Sequence, residues 1–279
     1  MFQIASLLPK ILGTTTTTTT TTETEPEPEA KTETETKPDP EPEPEKKPVT
    51  PEAEKARAAY LLDAQSKAVS LFAEIEEKLI RPGISEKQLS DEIHALGEER
   101  HGVRTHWHKR VVRSGPNTLL PFEDNPPDRV IGADDILYVD LGPVFEKYEA
   151  DFARTFVLGD DPEKIRLRDS LEPTWKRVKE RFDAESKSMT GGRLYEIAQE
   201  EARDAGWEFG AWLAGHLVGQ FPHERVPKDQ TKLYITEGND ELMDVEGKDG
   251  FKRHWILEIH LRDNANNRAA FFEQLLTVG

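Results

Sequence analysis

The feature that most constrains the fold is an order of elements that recurs along the chain. A long helix, a glycine-containing break, a shorter helix and then strands are predicted twice in residues 51–279. Each copy is roughly 100 residues, longer than the repeats of solenoid proteins. Two such copies facing each other predict one pseudo-symmetric α+β domain with a cleft between its sheets. A coincidence of common elements is the alternative, and the pattern alone does not reject it.

The first copy opens with an amphipathic helix over 56–79, in which apolar residues recur at three- and four-residue steps or their multiples. An Arg-Pro-Gly sequence at 81–83 ends this helix. Ser85 and Gln88 form a capping-box pair, which starts a second helix that runs to about Glu99. Short β-rich runs predict strands at 111–113, 136–142 and 152–158.

The second copy repeats this order. A long helix is predicted from Pro162 to about Ser188, and Thr190-Gly191-Gly192 is expected to break it. A shorter helix follows from Leu194 to Ala205. Strands are then predicted at 255–261 and 270–278.

The first 52 residues have a composition unlike that of the rest. Residues 14–22 are nine threonines, and residues 23–48 alternate Glu with Thr or Pro. Such a segment buries too little apolar surface to offset its ordering entropy, so residues 1–52 are predicted to be a disordered tail before a folded domain at 53–279. The apolar start carries its only positive side chain, Lys10, after the apolar stretch and is followed by no cleavage site. We therefore expect no targeting signal and a cytoplasmic protein.

Composition excludes several classes of protein. The net charge is −17, which argues against a protein that grips nucleic acid phosphates. The absence of cysteine excludes disulfide scaffolds, thiol catalysis and cysteine-built metal sites. No apolar run approaches the ~18–20 residues that cross a bilayer, so we expect no membrane partner.

Five ionisable residues lie next to large apolar residues in otherwise strand-like or glycine-flanked segments. Each residue alone has an ordinary explanation. An aspartate can cap a turn or end a strand, a histidine can be hydrogen-bonded in the core, and a glutamate can lie on the solvent-exposed face of a strand. Four buried carboxylates together would repel one another, whereas two divalent cations would balance their charge. Oxygen-rich sites with one nitrogen suit Mn²⁺, Co²⁺, Fe²⁺ or Zn²⁺. The five residues are Asp140, Asp151, His216, Glu258 and Glu273.

Three motifs resemble one superfamily. They are DLG at 140–142, an Asp eleven residues after the first in ADFART, and GHLVGQFPHERVP at 215–227. They are similar to the metallopeptidases that include methionine aminopeptidases, Xaa-Pro aminopeptidases and creatinase. The resemblance covers about residues 56–279 and implies the pita-bread fold, an α+β architecture of two pseudo-symmetric halves with antiparallel sheets and outer helices. The spacing of the two later glutamates is the weaker part of the match.

The resemblance also implies metal-ligand roles. Asp140 corresponds to the terminal carboxylate of one metal, and Asp151 and Glu273 correspond to the carboxylates that bridge both. His216 and Glu258 correspond to the other metal's own ligands. The expected cofactors are thus two divalent ions.

The implied reaction is two-metal hydrolysis of a peptide bond, with the metals activating a water. His223 resembles the imidazole that contacts the scissile peptide, and Glu258 resembles the proton acceptor. A clustered negative field attracts a free N-terminal ammonium, which favours an aminopeptidase or dipeptidase acting on peptides or dipeptides.

The sequence also departs from the family. A further histidine usually follows a stretch like Ser114–Asn117, but TLLPFED stands there and contains none. His106, His108 and His260 are the candidates to replace it, although His106 and His108, a His-x-His before a strand, could also be surface residues. In a continuous strand His260 lies on the same face as Glu258, where it takes this role or simply hydrogen-bonds a carboxylate. No separate N-terminal lid domain is expected.

Two alternatives stay open. One is a non-catalytic pita-bread binding protein in a protein complex, which the retained ligand types disfavour. The other is creatinase-like hydrolysis of a small C–N substrate without metal. The sequence allows a homodimer but does not determine the assembly.

Overall fold

The computed structural model describes residues 48–223, 231–247 and 249–278. Most of the predicted disordered tail, residues 1–47, lies outside these ranges, so that prediction stays untested. Within the described ranges, no helix combines the length and the apolar character that a membrane span requires.

Four helices are found where the sequence predicts them. Each begins after a residue whose side-chain oxygen accepts a hydrogen bond from a backbone N–H in the first turn, as expected of an N-cap: Thr50, Ser85, Asp161 and Thr190. The helices are α1 (Pro51–Lys78), α2 (Glu86–His101), α3 (Pro162–Glu185) and α4 (Gly191–Asp204).

The glycine pair at 191–192 corrects one prediction. The sequence predicts that both glycines break the helix, yet they form the first turn of α4. A Cβ on Gly191 would lie 2.2 Å from Asn239 Nδ2 and 2.7 Å from the Tyr234 carbonyl oxygen. The absence of a side chain therefore serves close packing at the start of the helix, which begins three residues earlier than predicted.

The strands join into one antiparallel sheet. Its order is β1-β2-β5-β10-β9-β7-β8, with β6 pairing on β9, while β3 and β4 form a separate hairpin. The strands are β1 (Val111–Ser114), β2 (Ile136–Leu141), β3 (Val144–Phe145), β4 (Tyr148–Glu149), β5 (Phe152–Val157), β6 (Glu208–Phe209), β7 (Leu213–Val218), β8 (Tyr234–Thr236), β9 (His254–Asp263) and β10 (Arg268–Leu275).

The predicted α+β class with antiparallel strands and outer helices is confirmed. One detail differs, because the two halves do not keep separate sheets. β5 of the first half pairs directly with β10 of the second, so a single sheet spans both halves. The cleft expected between two sheets is instead a cavity over one face of this sheet.

Two hydrophobic cores lie between the helices and the sheet, one for each half. In the first, Leu71 and Ile75 of α1 share a cluster with Leu137 and Val139 of β2. In the second, the buried residues of α3 and α4 share a cluster with Leu257, Ile259 and Leu261 of β9. Because side chains alternate along a strand, the residues between these core positions point to the opposite face.

That opposite face carries a row of carboxylates set by the sheet register. Asp140 on β2 pairs with Ala153 on β5, Ala153 pairs with Glu273 on β10, and Glu273 pairs with Glu258 on β9. Neighbouring strands lie about 4.8 Å apart, so this row sets Glu258 directly beside Glu273 and places Asp140 two strands from Glu273, across Ala153. The small side chain of Ala153 leaves space in the middle of the row.

Candidate metal centre

The predicted site residues surround one cavity. It has a volume of about 570 Å³ and lies on the sheet face opposite the helices. The seven predicted residues all line it: Asp140, Asp151, His216, His223, Glu258, His260 and Glu273. The structure therefore brings together side chains that the sequence separates by up to 133 positions.

Asp151 lies at the centre of this group, immediately before β5. Its Oδ1 is 3.1 Å from His108 Nε2, and its Oδ2 is 3.1 Å from His216 Nε2. Only 2 % of its side chain is exposed. One buried carboxylate thus offers a separate oxygen to each of two imidazoles.

Two sets of three donors share this aspartate. His108, Asp140 and Asp151 form the first set, and Asp151, His216 and Glu273 form the second; in each set the ligand atoms lie within 4.8 Å of one another. Asp151 is therefore placed to bridge two neighbouring cations.

Glu258 lies at the edge of the second set. Its Oε1 is 3.6 Å from His216 Nε2, and its Oε2 is 2.8 Å from His260 Nε2. The His260 ring also stacks on Phe271, with centroids 4.1 Å apart. His260 consequently shares the face of Glu258, as its position two residues along the strand predicts, and hydrogen-bonds that carboxylate.

Burial and mutual repulsion disfavour the charged form of these carboxylates, because few positive groups lie near enough to compensate them. Burial, together with the neighbouring Asp151 and Glu258, raises the pKa of Asp140 to about 7. Burial and the same neighbours raise the pKa of Glu273 well above its ordinary value. In addition, Asp140 Oδ1 is a buried oxygen without a hydrogen-bond partner. A cation beside these oxygens would remove both penalties.

The two imidazoles respond in the opposite sense. Burial disfavours their charged form, but the carboxylates outweigh it and raise the pKa of His108 and of His216 to about 9. Conversely, although burial opposes it, His108 and His216 hold the pKa of Asp151 well below its usual range. Protons thus balance the negative charge where divalent cations would otherwise do so, and metal binding would release them. The donor set fits metal ions.

The positions of His108 and His106 show which of these two upstream histidines lies at the site, a question that the sequence left open. His108 lines the cavity at the two aspartates, while His106 does not line it and has its ring 6.1 Å from that of His94. Of the two upstream histidines, His108 is the one at the centre.

His223 is held by two groups that sequence reasoning missed. Its Nδ1 lies 2.7 Å from Glu149 Oε2, and its ring stacks on Trp107 with centroids 4.0 Å apart and planes at 15°. Glu149 lies two residues before Asp151 in KYEADF at 147–152, where charged, aromatic and small residues alternate irregularly, so no local pattern marks Glu149 as buried or points to its partner.

The rest of the cavity wall is largely apolar. Trp212 and Phe122 line it with about half of their surface exposed, at 51 % and 47 %. Other lining residues are Leu119, Leu120, Pro121, Leu213, Tyr234 and Phe271. An apolar side chain of a ligand would find contacts here.

Several curated relatives are named Xaa-Pro dipeptidases. The Xaa-Pro dipeptidase of Lactobacillus delbrueckii subsp. lactis is 26% identical over 166 residues, which cover 59% of this chain and 42% of that protein. The Xaa-Pro dipeptidase of Pyrococcus furiosus is 28% identical over 156 residues, covering 56% and 43%. The matched part spans less than half the length of these relatives.

Solved structures share the fold. Prolidase from Thermococcus sibiricus superposes with a TM-score of 0.63 at 19% identity, covering 80% of this chain and 57% of that one. Methionine aminopeptidase from Thermotoga maritima gives 0.58 at 17% identity, covering 84% and 99%. These likenesses confirm the predicted pita-bread fold.

The sequence model of metallopeptidase family M24 matches residues 59–245, two-thirds of the chain. The chain therefore belongs to metallopeptidase family M24.

Proposed function

We propose that this chain is a metal-dependent peptidase, an aminopeptidase or dipeptidase that uses two divalent cations. The observation that carries the proposal is the convergence of two donor sets on Asp151, inside a cavity large enough for a small peptide. Family membership implies a divalent metal, and the shared aspartate is what favours a pair of ions over a single one.

The ligands of the pair are assigned as follows. Asp140 would hold the first ion, His216 and Glu258 would hold the second, and Asp151 and Glu273 would be shared by the two. Four carboxylates with an imidazole suit Mn²⁺, Co²⁺, Fe²⁺ or Zn²⁺. When bound, such a pair polarises a carbonyl oxygen and makes water a nucleophile at neutral pH.

Other residues orient the substrate and move protons. Because Glu149 accepts the hydrogen bond of His223 Nδ1, Nε2 is the ring nitrogen left for the scissile peptide. Glu258 takes the proton from the attacking water and passes it towards the leaving amine. Its hydrogen bond to His260 holds one carboxylate oxygen and leaves the other directed to the centre.

The proposed substrates are peptides or dipeptides with a free amino terminus. The acidic cluster attracts an ammonium group, and the apolar wall suits an apolar first side chain. Because two relatives are named Xaa-Pro dipeptidases, Xaa-Pro dipeptides are the first class to test. A cytoplasmic location stays a prediction, and a homodimer stays one assembly that the sequence allows.

A peptide library tests the activity. The purified full chain, loaded with Mn²⁺, Co²⁺ or Zn²⁺, is incubated with dipeptides and tripeptides that have or lack proline at the second position. Each peptide is offered with a free and with an acetylated amino terminus, and Asp151→Asn serves as the inactive control. We expect hydrolysis of free-amine peptides only. Absence of hydrolysis by a protein that holds two ions would contradict a peptidase and favour the non-catalytic alternative.

A further inference from the structure

His108 and His216 have the same chemical surroundings. In both rings Nδ1 lies 2.7 Å from the carbonyl oxygen of the next residue, Lys109 or Leu217. A carbonyl oxygen only accepts, so Nδ1 carries the hydrogen in each ring. In both rings Nε2 lies 3.1 Å from an oxygen of Asp151. A backbone carbonyl that fixes Nδ1–H in this way is the usual support of a histidine that binds metal through Nε2.

The distances around His108 also match a shared cation. Its Nε2 is 3.1 Å from Asp151 Oδ1 and 3.6 Å from Asp140 Oδ1. Donors about 2.1 Å from a cation are separated by about 3.0 Å at right angles and about 3.4 Å at the tetrahedral angle. Asp140 Oδ1 is the buried oxygen without a hydrogen-bond partner, and the His108 side chain beside it is only 9 % exposed.

The position of His108 is built into the fold around Gly142. A Cβ on Gly142 would lie 2.2 Å from His108 Cδ2 and 2.5 Å from Trp107 Nε1. The backbone N–H of Trp107 donates to the Gly142 carbonyl oxygen at 2.9 Å, and its indole N–H donates to that of Ala150 at 3.1 Å. The segment that carries His108 is thus fixed to the chain on both sides of the centre, just after Asp140 and just before Asp151.

We propose that His108 is a ligand of the ion that Asp140 and Asp151 hold, so that each of the two ions has one imidazole. This rests on the dinuclear centre of the proposed function. Imidazole donors suit Zn²⁺ and Co²⁺, whereas purely carboxylate sites suit Mn²⁺. The second nitrogen should therefore shift the preference of the first site from Mn²⁺ towards Co²⁺ and Zn²⁺.

Metal titration of three full-length proteins tests the ligand. They are the wild type, His108→Ala and the control His106→Ala, which removes an imidazole of the same segment outside the cavity. Bound Co²⁺ is counted by elemental analysis, and its affinity is measured by calorimetry. We expect two ions in the wild type and the control. In His108→Ala the first-site affinity should fall more than about tenfold, since even outer-shell changes cost 10–100-fold. Free imidazole should restore part of the affinity.

X-ray absorption spectroscopy of the Co²⁺-loaded wild type counts the imidazoles bound to cobalt. This measurement does not depend on whether the His108→Ala protein folds. We expect one imidazole per cobalt on average; one imidazole for each pair of ions would overturn the assignment of His108. A folded His108→Ala protein with unchanged affinity would also overturn it.

The same measurements separate this ligand from the activity. A wild type that binds no ions would overturn both proposals. A wild type with two ions and one imidazole on each, yet without peptide hydrolysis, would overturn the peptidase and support the ligand.

Discussion

Glu149 fixes the orientation of His223 from inside the protein. Its Oε2 lies 2.7 Å from His223 Nδ1, and its side chain is fully buried. Glu149 Oε1 has no hydrogen-bond partner, so the bond to His223 is a main compensation for burying this carboxylate. The indole of Trp107 stacks against one face of the His223 ring. The imidazole is therefore held by an acceptor at its edge and an indole on its face.

Glu149→Ala should lower kcat about 10- to 100-fold with little change in KM, because an unheld imidazole loses its orientation towards the scissile peptide. Steady-state kinetics on a peptide substrate measures both constants. Glu149→Gln, which keeps an acceptor oxygen, should lose less, and Glu146→Ala in the exposed turn of the same hairpin is the control.

A double substitution distinguishes orientation from general damage. If Glu149 acts through His223, adding Glu149→Ala to His223→Ala should reduce kcat no further. Equal losses in both backgrounds, or a fall in bound metal, would show that Glu149 has a structural role instead.

Asp151→Asn and Asp140→Asn should differ in bound metal. Asp151 belongs to both donor sets, so its substitution should remove both ions, whereas Asp140→Asn should remove one. Metal at about 100 times its Kd should stabilise the protein by about 2.7 kcal/mol for each ion that it binds, and should not stabilise Asp151→Asn. Elemental analysis and thermal unfolding with and without chelator measure these effects. The exposed Asp160→Asn is the control, and loss of the same number of ions from both site variants would contradict a bridging role.

Gly215→Ala should destabilise the fold far more than Gly83→Ala. Both glycines have positive φ, at 138° and 87°. A Cβ on Gly215 would lie 2.0 Å from the Ile256 carbonyl oxygen on β9, whereas one on Gly83 would meet nothing within 4 Å. We expect a loss of roughly 3 kcal/mol or more for Gly215→Ala and about 1 kcal/mol for Gly83→Ala in urea unfolding. Similar losses would show that the contact between β7 and β9 relaxes.

His254→Gln should make the stability less sensitive to acid. Burial, with the charges of Arg57 and Lys252, lowers the pKa of His254 although Glu54 opposes this. Below about pH 6.5 the unfolded chain takes up a proton that the folded chain does not, so stability falls as the pH falls towards the lower folded value. This contribution is at most about 1.4 kcal/mol per pH unit.

Urea unfolding of the wild type and His254→Gln between about pH 8 and about pH 5.5 checks the sign. The wild type should lose more free energy of unfolding over this range than the variant. Parallel curves would mean that His254 titrates normally in the folded protein.

The sequence predicts those helices and strands that are specified by neighbouring residues, such as a cap or an apolar run. The run Ile136–Leu141 is apolar and β-rich, and Ser85 caps its helix as expected. β7 was not predicted, because Gly215 interrupts the run that carries His216. Its strand conformation depends on pairing with β9, which no local pattern reveals.

The site was predictable in its residue types but not in its geometry. The resemblance identified Asp140 and Asp151 by their spacing, yet the row that joins them to Glu273 and Glu258 follows from the sheet register. Glu149 and His223 are 74 residues apart, and they meet because the Glu149 N–H donates to the Gly219 carbonyl oxygen at 3.1 Å. Contacts of this kind depend on tertiary pairing.

Anomalous diffraction from crystals grown with Mn²⁺ or Zn²⁺ tests the dinuclear centre most directly. We expect two peaks on either side of the Asp151 carboxylate, one beside Asp140 and one beside His216 and Glu273. A single peak that Asp151 does not touch, or no peak in this cavity at saturating metal, would contradict the centre on which the proposed peptidase depends.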